Sequence, residues 1–311
     1  MKKVIKHLVI KMKIIEIDLK KCIRCEECIK ECPSQLFYKK DSDDSSGPKI
    51  IFQDENNGCI KCGHCLSICP RDAIIGEGIE EEGGLWKFEE VKDPSKILDL
   101  NGIMKLIRAR RSIRRFQNKE IPKDQIELIL EAMRYAPSAS NQQSWHYIIV
   151  NDPEKIKHFG NQVMKLFYLL RKLLKMKWFL KLFVSGYQKE MLIDPKTELY
   201  ITKMIKDFEN GIDGIFYNAP CIIVLDSPKY GGMAGNDAGI ALTHGMFAAQ
   251  SQGIGTCWIG FAQEAIKRNK KLKKWLGIPK GRKCYGVIIC GYPAMKFLKS
   301  PTRKKLHIKW L

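Results

Sequence analysis

The chain has 311 residues, of which 45% are hydrophobic and 28% charged. That is a globular composition with ample material for a core, which excludes a disordered or fibrous chain and suggests about two domains. Up to residue 92 there are 16 Lys and Arg against 17 Asp and Glu, whereas the remainder carries 38 against 17, so the whole net charge of +20 lies in the second part. Such a basic part can attract nucleic acid, an anionic membrane or an acidic electron carrier. Nucleic acid ranks last, because no recognised binding motif accompanies the charge.

The start, Met1 to Lys11, is positive, but charges interrupt each apolar run before it reaches the length of a signal or a span, so neither is expected. Residues 14–19 alternate in polarity and read as a short strand. It leads into Cys22-x-x-Cys25-x-x-Cys28-x-x-x-Cys32-Pro33, which recurs as Cys59-x-x-Cys62-x-x-Cys65-x-x-x-Cys69-Pro70. Three thiolates on a tight turn can cap three corners of one cubane, but the chain cannot bend back fast enough to supply the fourth, which serves the other cluster. One [4Fe–4S] cluster is therefore assigned to Cys22, Cys25, Cys28 and Cys69, and a second to Cys59, Cys62, Cys65 and Cys32. Each following Pro fixes φ and turns the chain away. Paired zinc sites would need neither the third Cys nor the Cys-Pro ending, and a disulfide framework suits the close spacing poorly. Residues 14–76 resemble the two-cluster bacterial ferredoxin module, with one departure: Asp41 to Pro48 is a long polar spacer, expected as an exposed hairpin tip. The other four cysteines, Cys221, Cys257, Cys284 and Cys290, stand in apolar surroundings without ligand spacing and read as buried small hydrophobes. Reduced, cluster-bearing cysteines imply a reducing, anaerobic cytoplasm.

Residues 71–75 form a matching strand, and the acidic, Gly-rich stretch from Gly76 to Gly84 reads as a linker. The expected domains are 1–76, a linker over 77–100, and 101–311. Asn101 is a candidate N-cap for a helix with the stripe Ile103, Leu106 and Ile107. A second helix follows Pro122, and a polar loop from Ala136 to Gln143 precedes a strand over Trp145–Val150. Two further β-like runs, 221–225 and 286–290, flank a buried Ala- and Gly-rich helix over 236–252 that is tipped by Gly253 to Gly260. Strands and helices in this succession indicate a layered α/β or α+β arrangement.

Four motifs in this part, Arg110-Arg111-Ser112-Ile113-Arg114, Pro137-Ser138-Ala139-Ser140-Asn141-x-Gln143-x-Trp145, Gly253 to Gly260 with Trp258 and Ile259, and Pro301-Thr302-Arg303, resemble in order and separation those of the FMN-dependent nitroreductase superfamily. With its N-terminal module the chain is similar to a ferredoxin–nitroreductase fusion. The fold class expected is α+β, a two-cluster module followed by a three-layer α/β/α flavin domain. The resemblance implies FMN at a homodimer interface, so that some ligating residues come from a second subunit. It places Arg114 at the pyrimidine edge, Ser138 to Gln143 around the ring, and the backbone of Ile259 and Gly260 beside N5; Arg110, Ser112 and Arg303 can hold the phosphate, and Arg111, Pro137 and Trp258 complete the expected cofactor-binding set.

Two places depart from the family pattern. Ser144 replaces the Pro that usually precedes the Trp, a change expected to relax the loop. The stretch 163–184 is long and contains six Lys or Arg and no acid. Its basic residues rotate to opposite sides around Met176, so a break there between two short helices is expected, within a lid or insertion over 163–205. The same stretch is a candidate for peripheral contact with anionic lipid.

The function implied is an oxidoreductase that takes electrons from a low-potential donor such as reduced ferredoxin through the clusters to FMN. A small-molecule acceptor (nitroaromatic, quinone, enone or haloaromatic) is then reduced by hydride transfer. The alternative is an electron-transfer protein that gates electrons between protein carriers. An oxygen-consuming, flavin-fragmenting relative conflicts with oxygen-sensitive clusters. No side chain is assigned a catalytic role; His146, His158, Tyr187 and Tyr200 are candidates for the proton, but a lone His or Tyr is more often structural.

Overall fold

The computed structural model describes residues 13–41, 47–78, 93–180, 183, 185–230 and 232–311. The basic start, the tip of the polar spacer and the Gly-rich linker beyond residue 78 lie outside the described residues, while Gly76 and Glu77, expected at its start, belong to a strand. Contacts divide the chain into one unit of Met1–Leu85 with Ser138–Gln142, and another of Trp86–Pro137 with Gln143–Leu311.

In the first unit β1 (Lys13–Ile17) pairs antiparallel with β4 (Ile74–Glu77), and β2 (Phe37–Lys40) with β3 (Lys49–Phe52). The register Lys40↔Lys49 makes the second pair a hairpin around the polar spacer. Each cysteine loop ends in a single-turn helix, α1 (Glu27–Glu31) or α2 (His64–Ile68). The internal repeat extends to the backbone. Arg24 and Glu26 have φ of 59° and 65°, and Lys61 and Gly63, at the same offsets from their first cysteine, have 57° and 75°. Three of these four residues carry a Cβ in the left-handed region, a strained arrangement of the kind held at ligand sites. Ile14, Phe37, Ile50, Ile74 and Cys65 form the small core beneath.

The second unit is built on a four-stranded antiparallel sheet in the order β5 (His146–Val150), β6 (Cys221–Pro228), β8 (Arg282–Gly291), β7 (Gly255–Trp258). Strand β6 is buried from Cys221 to Ser227, and its alternation assigns it to two cores. Cys221, Ile223 and Leu225 face α4 (Lys123–Arg134) and α9 (Ala234–Ser251). Ile222 and Val224 face α5 (Pro153–Lys175), α8 (Pro195–Glu209) and α10 (Gly260–Arg268). Period-two alternation between two helical layers makes the three-layer arrangement, and each fully buried aliphatic side chain contributes about 1.5–3 kcal/mol. All four non-ligand cysteines are buried.

Several local expectations shift. The first helix of this unit, α3 (Leu100–Ala109), is capped by Asp99, whose carboxylate accepts from Gly102 N at 2.7 Å, and not by Asn101. Its stripe is uncovered by the chain, for Leu100, Ile103, Met104 and Ile107 are all exposed and no residue of α3 is buried. The expected tip over 253–260 contains an edge strand, β7. The break at Met176 is present, where α5 ends and the single turn α6 (Lys177–Leu180) begins. However, α5 is a 23-residue helix and not a short one, and its Val163, Met164, Leu166, Phe167 and Leu174 belong to the core. No helix among the described residues is long and apolar enough to cross a membrane.

Candidate functional site

The first unit brings the eight motif cysteines together as two sets. Cys22, Cys25, Cys28 and Cys69 line one small cavity, and Cys32, Cys59, Cys62 and Cys65 line the other. Each set combines a triplet from one loop with the fourth cysteine of the other repeat. Among the described residues no three His, Cys, Asp or Glu side chains stand close enough to chelate a single ion. Thiols that ring a cavity without converging on a point suit a polynuclear cluster, which takes one thiolate per iron. Burial, together with the neighbouring Cys22, pushes the Cys28 thiol up to about 11, and burial does the same to Cys65. Backbone amides are aimed at the sulfurs as well: Leu36 N donates to Cys32 Sγ at 3.4 Å and Ala73 N to Cys69 Sγ at 3.3 Å. Such bonds would stabilise thiolate and tune a cluster's potential.

In the second unit the basic motif is extended and bound to the sheet. Ser112 bridges Thr256 in parallel, Ile113 N donates to Thr256 O at 2.9 Å, and Gln117 N to Tyr292 O at 2.8 Å. Ile113 is buried, so alternation sends Arg110, Ser112 and Arg114 to the opposite side. Arg111 shares the side of Ile113. Its guanidinium donates to the carbonyls of Arg108, Arg110 and Lys299 and lies over the Phe297 ring, so that it is engaged by protein. Arg303 is exposed and donates to Thr302 O at 3.4 Å; the structure does not bring it to Arg110.

Sequence reasoning missed Tyr217. Burial pushes its phenol up, whereas the charge of the nearby Arg114 pulls the other way. Tyr217 and Asn218 both have φ of 57°, and the Asp213 carboxylate holds this bend by accepting from the backbone of Phe216 and Asn218. A strained pair pinned beside a free-edge arginine is the kind of feature that marks a ligand site.

The loop after Pro137 is strained too, with φ of 49° at Ser140, 51° at Asn141 and 44° at Gln143. Its segment Ser138–Gln142 groups with the first unit, where Asn141 Nδ2 donates to Lys61 O at 2.7 Å. Its far end is held by a network that the sequence did not announce. Arg282 donates to Ser144 O at 2.8 Å and to the carboxylate of Asp226, Ser144 Oγ lies 2.9 Å from Ser227 Oγ, and His146 Nδ1 lies 2.9 Å from Asp226 Oδ2. Ser144 is thus held at both its hydroxyl and its carbonyl. Directly beyond, Trp145 Nε1 and Tyr147 Oη are buried without a hydrogen-bond partner, two of three such atoms among the described residues. An orphaned buried donor costs about 1–3 kcal/mol, so a bound group offering an acceptor fits here.

Trp258, partly exposed, donates from Nε1 to Gln263 Oε1 at 3.2 Å, and Ile259 N donates to Val287 O at 2.8 Å at the start of α10. A Cβ at Gly286 would stand 2.2 Å from Leu242 Cδ1 and 2.8 Å from the Trp258 ring. Gly286→Ala is expected to cost about 1–3 kcal/mol in urea unfolding and to displace the indole. A separate cavity of about 510 Å³, lined by Asn118, Lys157, Asp213 and Phe216 among others, contains none of the expected flavin residues.

Residues 21–73 match the model of a 4Fe-4S dicluster domain, and residues 107–292 match that of the nitroreductase family. The chain is 28% identical to an FMN reductase [NAD(P)H] of Bacillus subtilis, over 65% of this chain and 70% of that protein. It is 24% identical to iodotyrosine deiodinase 1 of Sus scrofa, over 72% and 73% respectively. Among solved structures, a nitroreductase with bound FMN from Bacteroides fragilis superposes with a TM-score of 0.50 at 25% identity, covering 68% of this chain and 99% of that one. The protein, an oxidoreductase by this kinship, belongs to the nitroreductase family and carries a 4Fe-4S dicluster domain at the N-terminal side of its family domain.

Proposed function

We propose that the chain passes electrons from a low-potential donor such as reduced ferredoxin, by way of two [4Fe–4S] clusters, to FMN, and that it reduces a small organic acceptor. The observation that carries this reading is the union, on one polypeptide, of two cysteine-ringed cavities with a nitroreductase-family domain. When bound, the clusters supply single-electron carriage and the flavin supplies hydride transfer. The protein's own part is to hold and to bias. Arg110 and Ser112, on the outward side of their extended segment, would take the flavin phosphate, with Arg303 joining from the same or a second chain. Arg114, with Tyr217 nearby, would offset negative charge at the pyrimidine edge. The orphaned Trp145 Nε1 would gain an acceptor.

The test is an anaerobic steady-state assay that compares reduced ferredoxin with NADH and NADPH across nitroaromatic, quinone, enone and haloaromatic acceptors. Turnover of at least one acceptor class with reduced ferredoxin supports the reading. Flavin that reoxidises only with a protein partner defeats it in favour of an electron-transfer role.

The same reading includes a homodimer. It is supported by the uncovered stripe of α3 and by the exposed alternation Leu306, Ile308 and Trp310 near the C-terminus. A stable dimer needs apolar area of this kind, and monomers rarely leave it open. The double variant Ile103→Glu, Ile107→Glu is expected to run as a monomer in light scattering and to lose flavin, while keeping its iron.

A further inference from the structure

We infer that Trp178, Phe179 and Phe183, with Arg171, Lys172 and Lys175, form an interfacial anchor that seats the second unit on an anionic lipid surface. The aromatic side chains are 68%, 40% and 70% exposed, and their rings lie against one another, 5.9 Å apart for Trp178 and Phe179 and 4.8 Å for Phe179 and Phe183. Three large aromatic rings gathered in the open are a feature that water disfavours and that the headgroup boundary of a bilayer favours.

The last turns of α5 supply the rest. Its inner face is in the core through Leu166, Phe167 and Leu174, which leaves Leu169, Lys172 and Met176 on a common outer stripe. Leu169 and Met176 are 48% and 51% exposed. Lys172 and Lys175 have no carboxylate within ion-pair distance among the described residues, and Arg171 lies over the Tyr168 ring at 5.3 Å. Lys177 is engaged by Glu198 at 2.9 Å and is left out of the anchor. Long basic side chains can lay their stems along the apolar surface and carry their charge to the phosphates.

The charge selects the occupant. A second copy meeting this patch face to face would oppose three basic side chains to their own equivalents, whereas phosphate-bearing lipid complements them. With no spanning helix among the described residues, the attachment is peripheral and reversible.

The test uses the cluster- and flavin-loaded protein in flotation with phosphatidylglycerol/phosphatidylcholine vesicles and with pure phosphatidylcholine. Flotation with the mixed vesicles alone, weakened by high salt, is expected. Lys172→Glu with Lys175→Glu should reduce partitioning about tenfold or more. Trp178→Ala, Phe179→Ala and Phe183→Ala together should abolish flotation with unchanged circular dichroism and unchanged iron content. Quenching of tryptophan by brominated lipid should disappear in Trp178→Phe. Absence of flotation, equal flotation with neutral vesicles, or flotation retained in the triple aromatic variant overturns the inference, as does crosslinking that places Trp178 between two copies in solution.

Discussion

A chain with Cys59, Cys62 and Cys65 all replaced by Ala is expected to keep about four of its about eight irons. That remaining cluster should be lost when Cys69 is replaced as well, and retained when Cys32 is replaced instead. The asymmetry follows from the cavities: Cys69 stands with Cys22, Cys25 and Cys28, whereas Cys32 stands with the other triplet. Iron per chain and the spectrum of the dithionite-reduced protein read the result directly. Dependence on Cys32 rather than Cys69 would mean that each loop completes its own cluster, and the crossed assignment would be wrong. Ferredoxin-driven turnover should collapse in every one of these variants, since the electron path is cut, while flavin content in the second unit is unaffected.

Asp226→Ala is expected to destabilise the second unit by about 3–5 kcal/mol, because it strands a buried guanidinium. Asp226 is fully buried and Arg282 is 13% exposed, and the carboxylate is the counter-charge of Arg282 and lies within hydrogen-bond distance of His146 Nδ1. For a unit of this size the loss corresponds to a fall of roughly 6–20 °C in melting temperature. Replacing Asp226 and Arg282 together by Leu and Met should recover most of it, since the penalty comes from the unpaired charge and not from the absence of the pair. The same double variant separates stability from site-building. Arg282 also holds Ser144 O, so flavin affinity should stay weakened after the melting temperature has been restored. Full recovery of flavin affinity would show that the network supports only the sheet.

The parts legible in the sequence share one property, that their geometry is local. A cysteine triplet at three-residue spacing forms its turn from its own backbone, and the left-handed residues at matching offsets in both loops show how little the rest of the chain contributes to that turn. The run 221–225 reads as a strand because both of its faces are apolar. Where two nearby residues compete for one role the local signal fails, as with Asp99 and Asn101 at the α3 cap, because either can cap and packing selects. In the stretch from Val163 the charges are conspicuous in the sequence, whereas the apolar positions that join the core carry no such signal.

The sequence by itself determined the order of the cluster module and the family domain and the two cysteine sets, which depend on spacing within short motifs. Only the tertiary structure decided that Arg111 turns to protein carbonyls while Arg110, Ser112 and Arg114 take the other side, that Tyr217 lies near Arg114, and that Asp226, Arg282, His146 and Ser144 form one network. The physical reason is the distance along the chain between partners. A lone Asp at the end of an apolar strand and an Arg 56 positions later carry no mutual signal until the antiparallel pairing of β6 with β8 sets them side by side.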